Sequence, residues 1–272
     1  MADPPGRRAL SGALIPDGLD ATVVLLRHGE STWITEGRFQ GQGDSPLTAL
    51  GERQALAVAE RLAHPARPPG LPIPAGPPMA IVHSPLGRTT DTARRLADAL
   101  AATHGRRVEP RPDDGLLEIG QGAWEGLLGA EIADRWPDLI AGWREDPLTS
   151  WAPGGESLST VDERVRAMVR AILAELAHGR ERGSLNRSQV LGYTDEPGPE
   201  PWALLVGHDG VFKVLLLALL DLPLARFWAF PFALAGISVV EIRGGRGRLR
   251  AHNLVDHLPG LDTTSDRPEG AL

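Results

Sequence analysis

The chain has 272 residues, a formal net charge of -7 at pH 7 and no cysteine. The length is enough for one α/β domain with a full core, and the lack of cysteine excludes disulfides, thiolate nucleophiles and zinc–thiolate sites. An acidic balance with scattered basic residues argues against a nucleic-acid-binding surface, so a small anion has to be captured by local cations.

The first half of the chain alternates predicted strands and helices. Residues 23–26 form an apolar strand that ends on Arg27 and His28, and a helix follows behind Thr48, a residue type suited to a helix N-cap. A proline- and glycine-rich insertion over 66–78 precedes a second strand. We expect a second helix over 86–102 and then a short strand at 107–109.

The second half contains a different region before the alternation resumes. A helical cap over the strand ends is predicted for about 118–155, because this stretch holds four tryptophans outside the strand–helix alternation. An amphipathic helix over 161–176 and a polar linker over 179–200 come next. A strand at 202–206, a helix from Val211 and closing strands at 237–242 and 248–253 complete the pattern. The prediction is a three-layer α/β/α fold with a mostly parallel central sheet.

The two ends of the chain and its hydropathy favour a soluble cytoplasmic protein without a membrane partner. Residues 1–20 lack the sustained apolar segment of a signal peptide and are predicted to be a flexible leader. Charged and proline residues interrupt the apolar stretch 211–240 before it reaches membrane-spanning length. The domain is predicted to occupy 21–255, followed by a flexible tail over 256–272.

Polar residues follow three of the apolar strands directly. Arg27 and His28 end the first strand, Arg88 follows the second closely, and His208 comes immediately after the strand at 202–206. Open α/β sheets bind ligands at the carboxyl ends of their strands. We therefore expect two guanidinium groups and two imidazoles to meet at one edge of the sheet.

Six motifs in order carry a family resemblance: LLRHGESTW, GRFQGQGDSPLTALGERQA, SPLGRTTDTA, LLEIGQGAWEG, PGGES and VGHDG. In this order and spacing, from Val23 to about Gly210, the chain resembles the histidine phosphatase (phosphoglycerate mutase-like) superfamily. The resemblance implies that superfamily's fold, and a phosphate monoester as the substrate.

The resemblance also implies a role for each residue at the strand ends. His28 is expected to attack phosphorus and become phosphohistidine, with one ring nitrogen held as a donor by a backbone carbonyl. Arg27 and Arg88 are expected to hold the non-bridging oxygens with their planar forks, which lysine cannot reproduce. His208 supplies a further donor, most useful when protonated. Glu118 is expected to protonate the leaving oxygen and then to activate water.

Weaker assignments concern the glycine-rich loop and the residue after His208. Gln40 and Gly41 are expected to line the phosphate, the first through its amide and the second by allowing close backbone approach. Asp209 is expected to cap the following helix with its side chain while its backbone N–H contacts substrate. One position departs from the family pattern, because Ile34 stands where relatives commonly carry an asparagine that helps to hold phosphate.

Several alternatives stay open from the sequence alone. Among nearby carboxylates, Glu125, Asp113 and Asp114 compete with Glu118 for the role of acid. No lysine lies between Glu118 and PGGES, which favours a phosphatase over a mutase, although Arg135 and Arg144 lie there.

Two further interpretations compete with the phosphohistidine one. A metal-dependent hydrolase would use His28, Glu30, His208 and Asp209 as ligands, but the chain has no HExxH motif. A protein that binds a phosphorylated ligand without turnover is the other alternative. We expect a small phosphorylated metabolite as partner, no metal, no other cofactor and no nucleic acid, and a homodimer is compatible with the sequence.

Overall fold

The computed structural model describes residues 13–191 and 200–261, and its centre is a six-stranded sheet covered by helices on both faces. The strands are β1 Ala21–Arg27, β2 Ala80–His83, β3 Pro110–Pro112, β4 Trp202–Gly207, β5 Ile237–Arg243 and β6 Arg246–Leu254. The helices are α1 Thr32–Thr35, α2 Ala49–Ala63, α3 Gly87–His104, α4 Gly129–Arg135, α5 Pro137–Glu145, α6 Leu158–Leu191 and α7 Asp209–Leu219, with 3-10 turns at Asp114–Leu116, Gly122–Trp124 and Leu224–Ala229.

The strand order β3-β2-β4-β1-β5-β6 determines where the polar strand ends meet. Strands β1 to β4 pair in parallel, and β5 and β6 are added in antiparallel orientation. Arg27 is in register with Gly207, and His83 is in register with Val206. The residues that follow β1, β2 and β4 therefore lie side by side at the carboxyl ends of the parallel strands.

Strand β1 is apolar on both faces because both faces are covered. Val23 and Leu25 belong to a core cluster that includes residues of α6 and α7, whereas Val24 and Leu26 belong to a second cluster with residues of α2 and α3. Alternating side chains of one strand thus enter two different cores. The predicted three-layer α/β/α fold with a mostly parallel sheet is confirmed.

Helix starts and one strand show how local chemistry sets the boundaries. The Thr48 hydroxyl accepts a hydrogen bond from the Gly51 N–H at 3.0 Å, which is the predicted N-cap of α2. The strand predicted at 107–109 instead lies at Pro110–Pro112. Proline cannot donate to a ladder, but β3 is at the edge of the sheet and needs a partner on only one side.

The prediction of a flexible leader over residues 1–20 is wrong for residues 13–20. Ile15 and Leu19 are buried in the core cluster that also contains Val23. These apolar side chains gain more from burial than from exposure, so residues 13–20 pack against the domain. Residues 1–12 lie outside the described part of the chain.

The predicted polar linker is also wrong over most of its length, because α6 continues to Leu191. Residues 180–191 contain no proline and a single glycine, so no strong helix-terminating signal occurs before Gly192. Residues 192–199 lie outside the described part. The start of the predicted tail is attached as well, since Arg61 Nε donates to Asp256 Oδ2 at 3.0 Å, while residues 262–272 again lie outside the described part.

The predicted cap region contains α4, α5 and the 3-10 turn Gly122–Trp124. Its tryptophans serve mainly as core, because Trp124 and Trp143 are buried and Trp143 packs against Phe227 with ring centroids 5.7 Å apart. Trp151 is partly exposed. In the described ranges, no helix combines the length and apolarity needed to cross a membrane.

Candidate active site

The ends of β1 and β4 bring two buried histidines together. His28 and His208 are each 1% exposed, and their ring centroids lie 5.1 Å apart at an interplanar angle of 64°. The His28 N–H donates to the Gly207 carbonyl at 3.1 Å, which extends the parallel ladder by one residue. The sheet itself therefore sets the spacing of the two imidazoles.

The tautomer of His28 follows from a short contact within its own turn. Its Nδ1 lies 2.6 Å from the Gly29 carbonyl oxygen, which can only accept. Nδ1 therefore carries the hydrogen, and the lone pair is on Nε2. This is the backbone-carbonyl contact that nucleophilic use of the ring requires.

His208 is oriented by a residue at the end of β2. Its Nε2 lies 2.9 Å from Ser84 Oγ, and its Nδ1 is buried with no hydrogen-bond partner among the described residues. We assign the Ser84 hydroxyl as the donor in this contact, which places the ring hydrogen of His208 on Nδ1. Burial, followed by the positive charges of Arg88 and nearby residues, lowers the pKa of His208 well below its usual value. The ring is therefore neutral at pH 7 in the free protein. Its use as a donor to substrate stays a prediction.

Two arginines supply positive charge beside these neutral histidines. Arg27 Nη1 donates to the Phe232 carbonyl, while Arg88 donates from Nη1 to the Gly43 carbonyl at 2.8 Å and from Nη2 to the Gly41 carbonyl at 3.0 Å. Burial lowers the pKa of Arg88 to about 10, a shift opposed by the nearby Glu118 carboxylate, so the guanidinium stays charged at neutral pH.

Three buried donor groups near His28 lack protein partners. The Nε atoms of Arg27 and Arg88 and Nδ1 of His208 have no hydrogen-bond partner in the described part of the chain. Buried polar groups are nearly always paired, because an unpaired one costs about 1–3 kcal/mol. Such a cluster of cationic and neutral donors is suited to an anion.

The glycine-rich loop packs against the segment that carries Glu118. Gly41 has a φ of +50°, and a Cβ there would lie 2.8 Å from the Gln121 backbone nitrogen. The glycine is therefore required by this packing, whereas the sequence suggests close approach to phosphate. Gln40 is oriented by the Ser31 hydroxyl, which donates to Gln40 Oε1 at 2.8 Å and leaves Nε2 as the donor end of the amide.

The Glu118 carboxylate is bound at the N-terminus of α7, the helix that begins directly after His208. Its Oε1 accepts from the Ile119 and Val211 N–H groups at 2.9 Å each, and its Oε2 accepts from the Gly210 N–H at 3.1 Å. A Cβ on Gly210 would lie 2.7 Å from Oε1, so only glycine permits this approach. The start of a helix is a common binding place for a substrate anion, but two of the N–H donors of α7 bind Glu118 instead.

Comparison with known proteins identifies the family. Residues 23–181 and 188–255 match the profile of the histidine phosphatase superfamily (branch 1). The chain belongs to the histidine phosphatase superfamily.

Two relatives of this histidine phosphatase and one solved structure agree with that placement. The chain is 33% identical to glucosyl-3-phosphoglycerate phosphatase of Mycobacterium tuberculosis, over 90% of each chain, and 28% identical to phosphoserine phosphatase 1 of Hydrogenobacter thermophilus, over 87% of this chain and 93% of the relative. A solved structure of mycobacterial glucosyl-3-phosphoglycerate phosphatase superposes with a TM-score of 0.68 at 32% identity, covering 87% of this chain and 100% of the other. The predicted enzyme class, phosphoric monoester hydrolase, is that of these named relatives.

The carboxylates that competed with Glu118 have structural partners in this histidine phosphatase. Glu125 Oε1 accepts from the Gln42 and Gln121 N–H groups at 2.9 and 3.0 Å. Asp113 caps a 3-10 turn by accepting from the Gly115 N–H at 2.8 Å, and Asp114 is exposed. Glu118 accepts backbone hydrogen bonds as well, so these contacts do not separate the candidates. What distinguishes Glu118 is its place at the start of α7, next to His208, and its role as the acid stays a prediction.

The side chain of Asp209 does not cap α7, as the sequence predicted, but has two other partners. Its Oδ2 forms an ion pair with Lys213 Nζ at 2.7 Å, and its Oδ1 accepts from the Phe232 N–H at 2.9 Å. Because the Phe232 carbonyl in turn accepts from Arg27, the pair supports the arginine through one residue of the backbone. Contact of the Asp209 N–H with substrate stays a prediction.

The metal-dependent alternative loses two of its four ligands to other partners. Glu30 Oε1 accepts from the Thr48 hydroxyl at 2.8 Å, and Asp209 is paired with Lys213. Across residues 13–191 and 200–261, no three His, Asp or Glu side chains gather as a metal site would require. The ligand chemistry of this region is therefore a poor match for a metal ion.

Sequence reasoning missed three residues near the site. Ser84 stands in the SPLGR motif, and Glu156 stands in PGGES, so both lie within recognised motifs whose sequence alone gives them no role. Arg164 lies in α6 and has no motif signal.

The structure also places three residues that the sequence analysis named. Ile34 is partly buried in α1, while Arg135 and Arg144 are exposed on α4 and α5.

Proposed function

We propose that this histidine phosphatase hydrolyses small phosphate monoesters without a metal ion, through a phosphohistidine on His28 and with Glu118 as general acid and base. The observation that carries the proposal is the group of three buried, unpartnered donors beside His28: Arg27 Nε, Arg88 Nε and His208 Nδ1. A phosphoryl group is the anion that such donors and a neighbouring nucleophile can both engage.

In the first step, His28 Nε2 attacks phosphorus in line with the ester oxygen. The N–P bond forms as the P–O bond breaks, and Glu118 in its protonated form transfers its proton to the departing alkoxide. In the second step, Glu118 takes a proton from water, whose oxygen attacks phosphorus. The P–N bond breaks, inorganic phosphate leaves and His28 regains its lone pair.

Positive charge around the transferred group stabilises both steps. Arg27 and Arg88 contribute fixed charge, since even the lowered pKa of Arg88, about 10, keeps it protonated. His208 is neutral in the free protein, and a bound dianion would oppose the neighbouring positive charges that contribute to the lowered pKa of this ring. Substrate binding is therefore expected to favour a proton on His208, and that proton would add a charged donor.

The named relatives support the substrate class. The two curated relatives are named as phosphatases of phosphoserine and of glucosyl-3-phosphoglycerate, both small phosphorylated metabolites. The mycobacterial enzyme has also been solved with VO3 and with inorganic phosphate. We propose a small phosphorylated metabolite as substrate for this chain too, turned over in the cytoplasm.

Covalent labelling tests the proposal directly. Wild-type protein mixed with a phosphate ester labelled at phosphorus and quenched within milliseconds should carry acid-labile label on His28. His28→Ala should show no label and lose at least about 1,000-fold in kcat on p-nitrophenyl phosphate. His64→Ala is the matched control, because that partly exposed histidine pairs with Glu60, and it should leave the rate unchanged.

Three results would contradict the proposal. Equal rates in wild type and His28→Ala would reject His28 as the nucleophile, and loss of turnover with a chelator, restored by a metal ion, would favour the metal-dependent alternative. Tight binding of vanadate without turnover of any ester tested would instead support a ligand-binding protein.

A further inference from the structure

The segment that carries Glu118 has no regular structure of its own. It runs from the 3-10 turn Asp114–Leu116 to the 3-10 turn Gly122–Trp124, and residues 117–121 belong to no helix or strand. No ladder of backbone hydrogen bonds therefore fixes the residue assigned as acid. Its position depends on contacts from other parts of the chain.

Arg164, on the first turns of α6, holds the backbone on one side of Glu118. Its Nη1 donates to the Leu117 carbonyl at 2.8 Å and to the Gly115 carbonyl at 3.1 Å. Its Nη2 donates to the carbonyl of Glu118 itself at 3.1 Å. A planar fork can bind several carbonyl oxygens at once, which a single ammonium group cannot do in the same geometry.

Glu156, in the PGGES motif, orients this arginine and holds the other side of Glu118. Its Oε1 and Oε2 accept from Arg164 Nε and Nη2, both at 2.9 Å. Oε2 also accepts from the Gly120 N–H at 2.8 Å, while the Glu156 N–H donates to the Gly120 carbonyl at 2.9 Å. The backbone that follows Glu118 is thereby bound through both a donor and an acceptor.

A third side chain connects this arrangement to the glycine-rich loop. Gln42 Nε2 donates to the Glu118 carbonyl and to Glu156 Oε2, each at 3.1 Å. The neighbouring residues Gly41 and Gly43 are the ones whose carbonyls bind Arg88. The position of the acid and the position of the anion-binding arginine are therefore linked through one loop.

We propose that Glu156 and Arg164 are positioning residues for proton transfer: as a pair they hold the backbone of Glu118 so that its carboxyl meets the leaving oxygen. This inference rests on the proposed function, in which Glu118 is the acid. Both side chains are about four-fifths removed from solvent, at 20% and 22% exposure, and the pair makes hydrogen bonds to backbone groups, unlike an isolated surface ion pair. A misplacement of about 1 Å can cost about 100-fold in rate.

The test compares an ester with a good leaving group and one with a poor leaving group. An activated aryl ester such as p-nitrophenyl phosphate needs little help from an acid, whereas glycerol 2-phosphate releases an alkoxide that must be protonated. The value of kcat/KM reports the steps up to formation of phosphohistidine, so the later hydrolysis of this intermediate does not affect it. Glu118→Gln serves as the reference for complete loss of the acid.

Arg164→Lys and Glu156→Gln are the informative variants. Each should lower kcat/KM for glycerol 2-phosphate by about 10- to 100-fold and for the aryl ester by less than about threefold. Arg166→Lys is the matched control, because this arginine lies on the same helix, is similarly exposed and pairs with Asp162 of that helix, and both rates should stay unchanged. Inhibition by vanadate should stay within about twofold, because the anion-binding donors are untouched.

The ratio of the two rates does not depend on how much of a preparation is folded. A partly unfolded variant loses both activities equally, so the ratio separates a positioning role from a merely structural one. An unchanged ratio in both variants, alongside a changed ratio in Glu118→Gln, would overturn the positioning role and leave the proposed function intact. A Glu118→Gln variant that loses both activities equally would overturn the acid assignment, and the inference with it.

Discussion

The two halves of the site are held in place by different means. His28 and His208 follow β1 and β4 directly, and their spacing is a property of the parallel ladder. Glu118 lies in an irregular segment and is held by N–H groups of α7 together with the side chains of Glu156 and Arg164. The two histidines of the anion-binding half thus depend on the sheet, whereas the proton-transferring half depends on a small number of hydrogen bonds. Substitutions in the two halves should therefore produce different kinetic signatures.

Arg88→Lys tests the anion-binding half and should have a larger effect than the substitutions that follow. Lysine cannot bind the carbonyls of Gly41 and Gly43 and at the same time direct a third donor to phosphate. We expect kcat/KM to fall about 100- to 1,000-fold for aryl and alkyl esters alike, with weaker inhibition by vanadate.

Arg94→Lys provides the control, because Arg94 is exposed on the same helix and pairs with Asp91. Should Arg88→Lys slow only the alkyl ester, the separation of the two halves would be wrong.

Asp209→Asn tests the indirect support of Arg27. The buried Asp209–Lys213 pair binds the Phe232 N–H, and the carbonyl of the same residue accepts from Arg27. We expect about a tenfold weaker inhibition by vanadate and a loss of about 3–5 kcal/mol in the free energy of unfolding, because Lys213 is left buried without its partner.

Urea denaturation and inhibition assays measure the two effects of Asp209→Asn. Combining it with Lys213→Met should recover stability but not vanadate affinity. Recovery of both would mean that the pair acts on stability alone.

The smallest expected effect is on the pH dependence of the free energy of unfolding, and it concerns His208 in the anion-binding half. Burial lowers the pKa of this ring in the folded state, while the unfolded chain has the ordinary value of about 6.5. Below that pH the unfolded state binds the extra proton, so this contribution to stability is present above about pH 6.5 and is lost as the pH falls.

The free energy of unfolding should therefore decrease from pH 7 to pH 5, by up to about 1.4 kcal/mol per pH unit for one such group. His208→Gln should show a shallower decrease in urea denaturation across the same range. An identical slope in both proteins would show that other groups, such as the buried His83 and the partly buried His257, account for the dependence.

The sequence predicts the sheet and the residues at its edge because both follow from local patterns. Apolar runs that end on Arg27, His28 and His208 locate strand ends, and parallel strands bring those ends together. Glu118 can be selected only by its motif position, because its contacts with Gly210 and Arg164 are separated from it by 92 and 46 residues.

Other wrong predictions have the same physical origin. The predicted role of Asp209 is wrong because its backbone partner, Phe232, lies 23 residues away in an irregular connection. Packing of Ile15 and Leu19 against the core likewise depends on a surface that exists only after the sheet has formed. Long-range hydrogen bonds and terminal packing leave no periodic signal in the chain.

The attachment of Glu118 to α7 and α6 has a consequence for how this architecture can diversify. The supports described for the acid come from these two helices, from residues 119–120, from Glu156 and from Gln42, and none of them comes from α4 or α5. Helices α4 and α5 can therefore be remodelled, lengthened or exchanged to suit a different organic group without removing any of these supports. One reaction centre of this design can serve as a common base for many specificities.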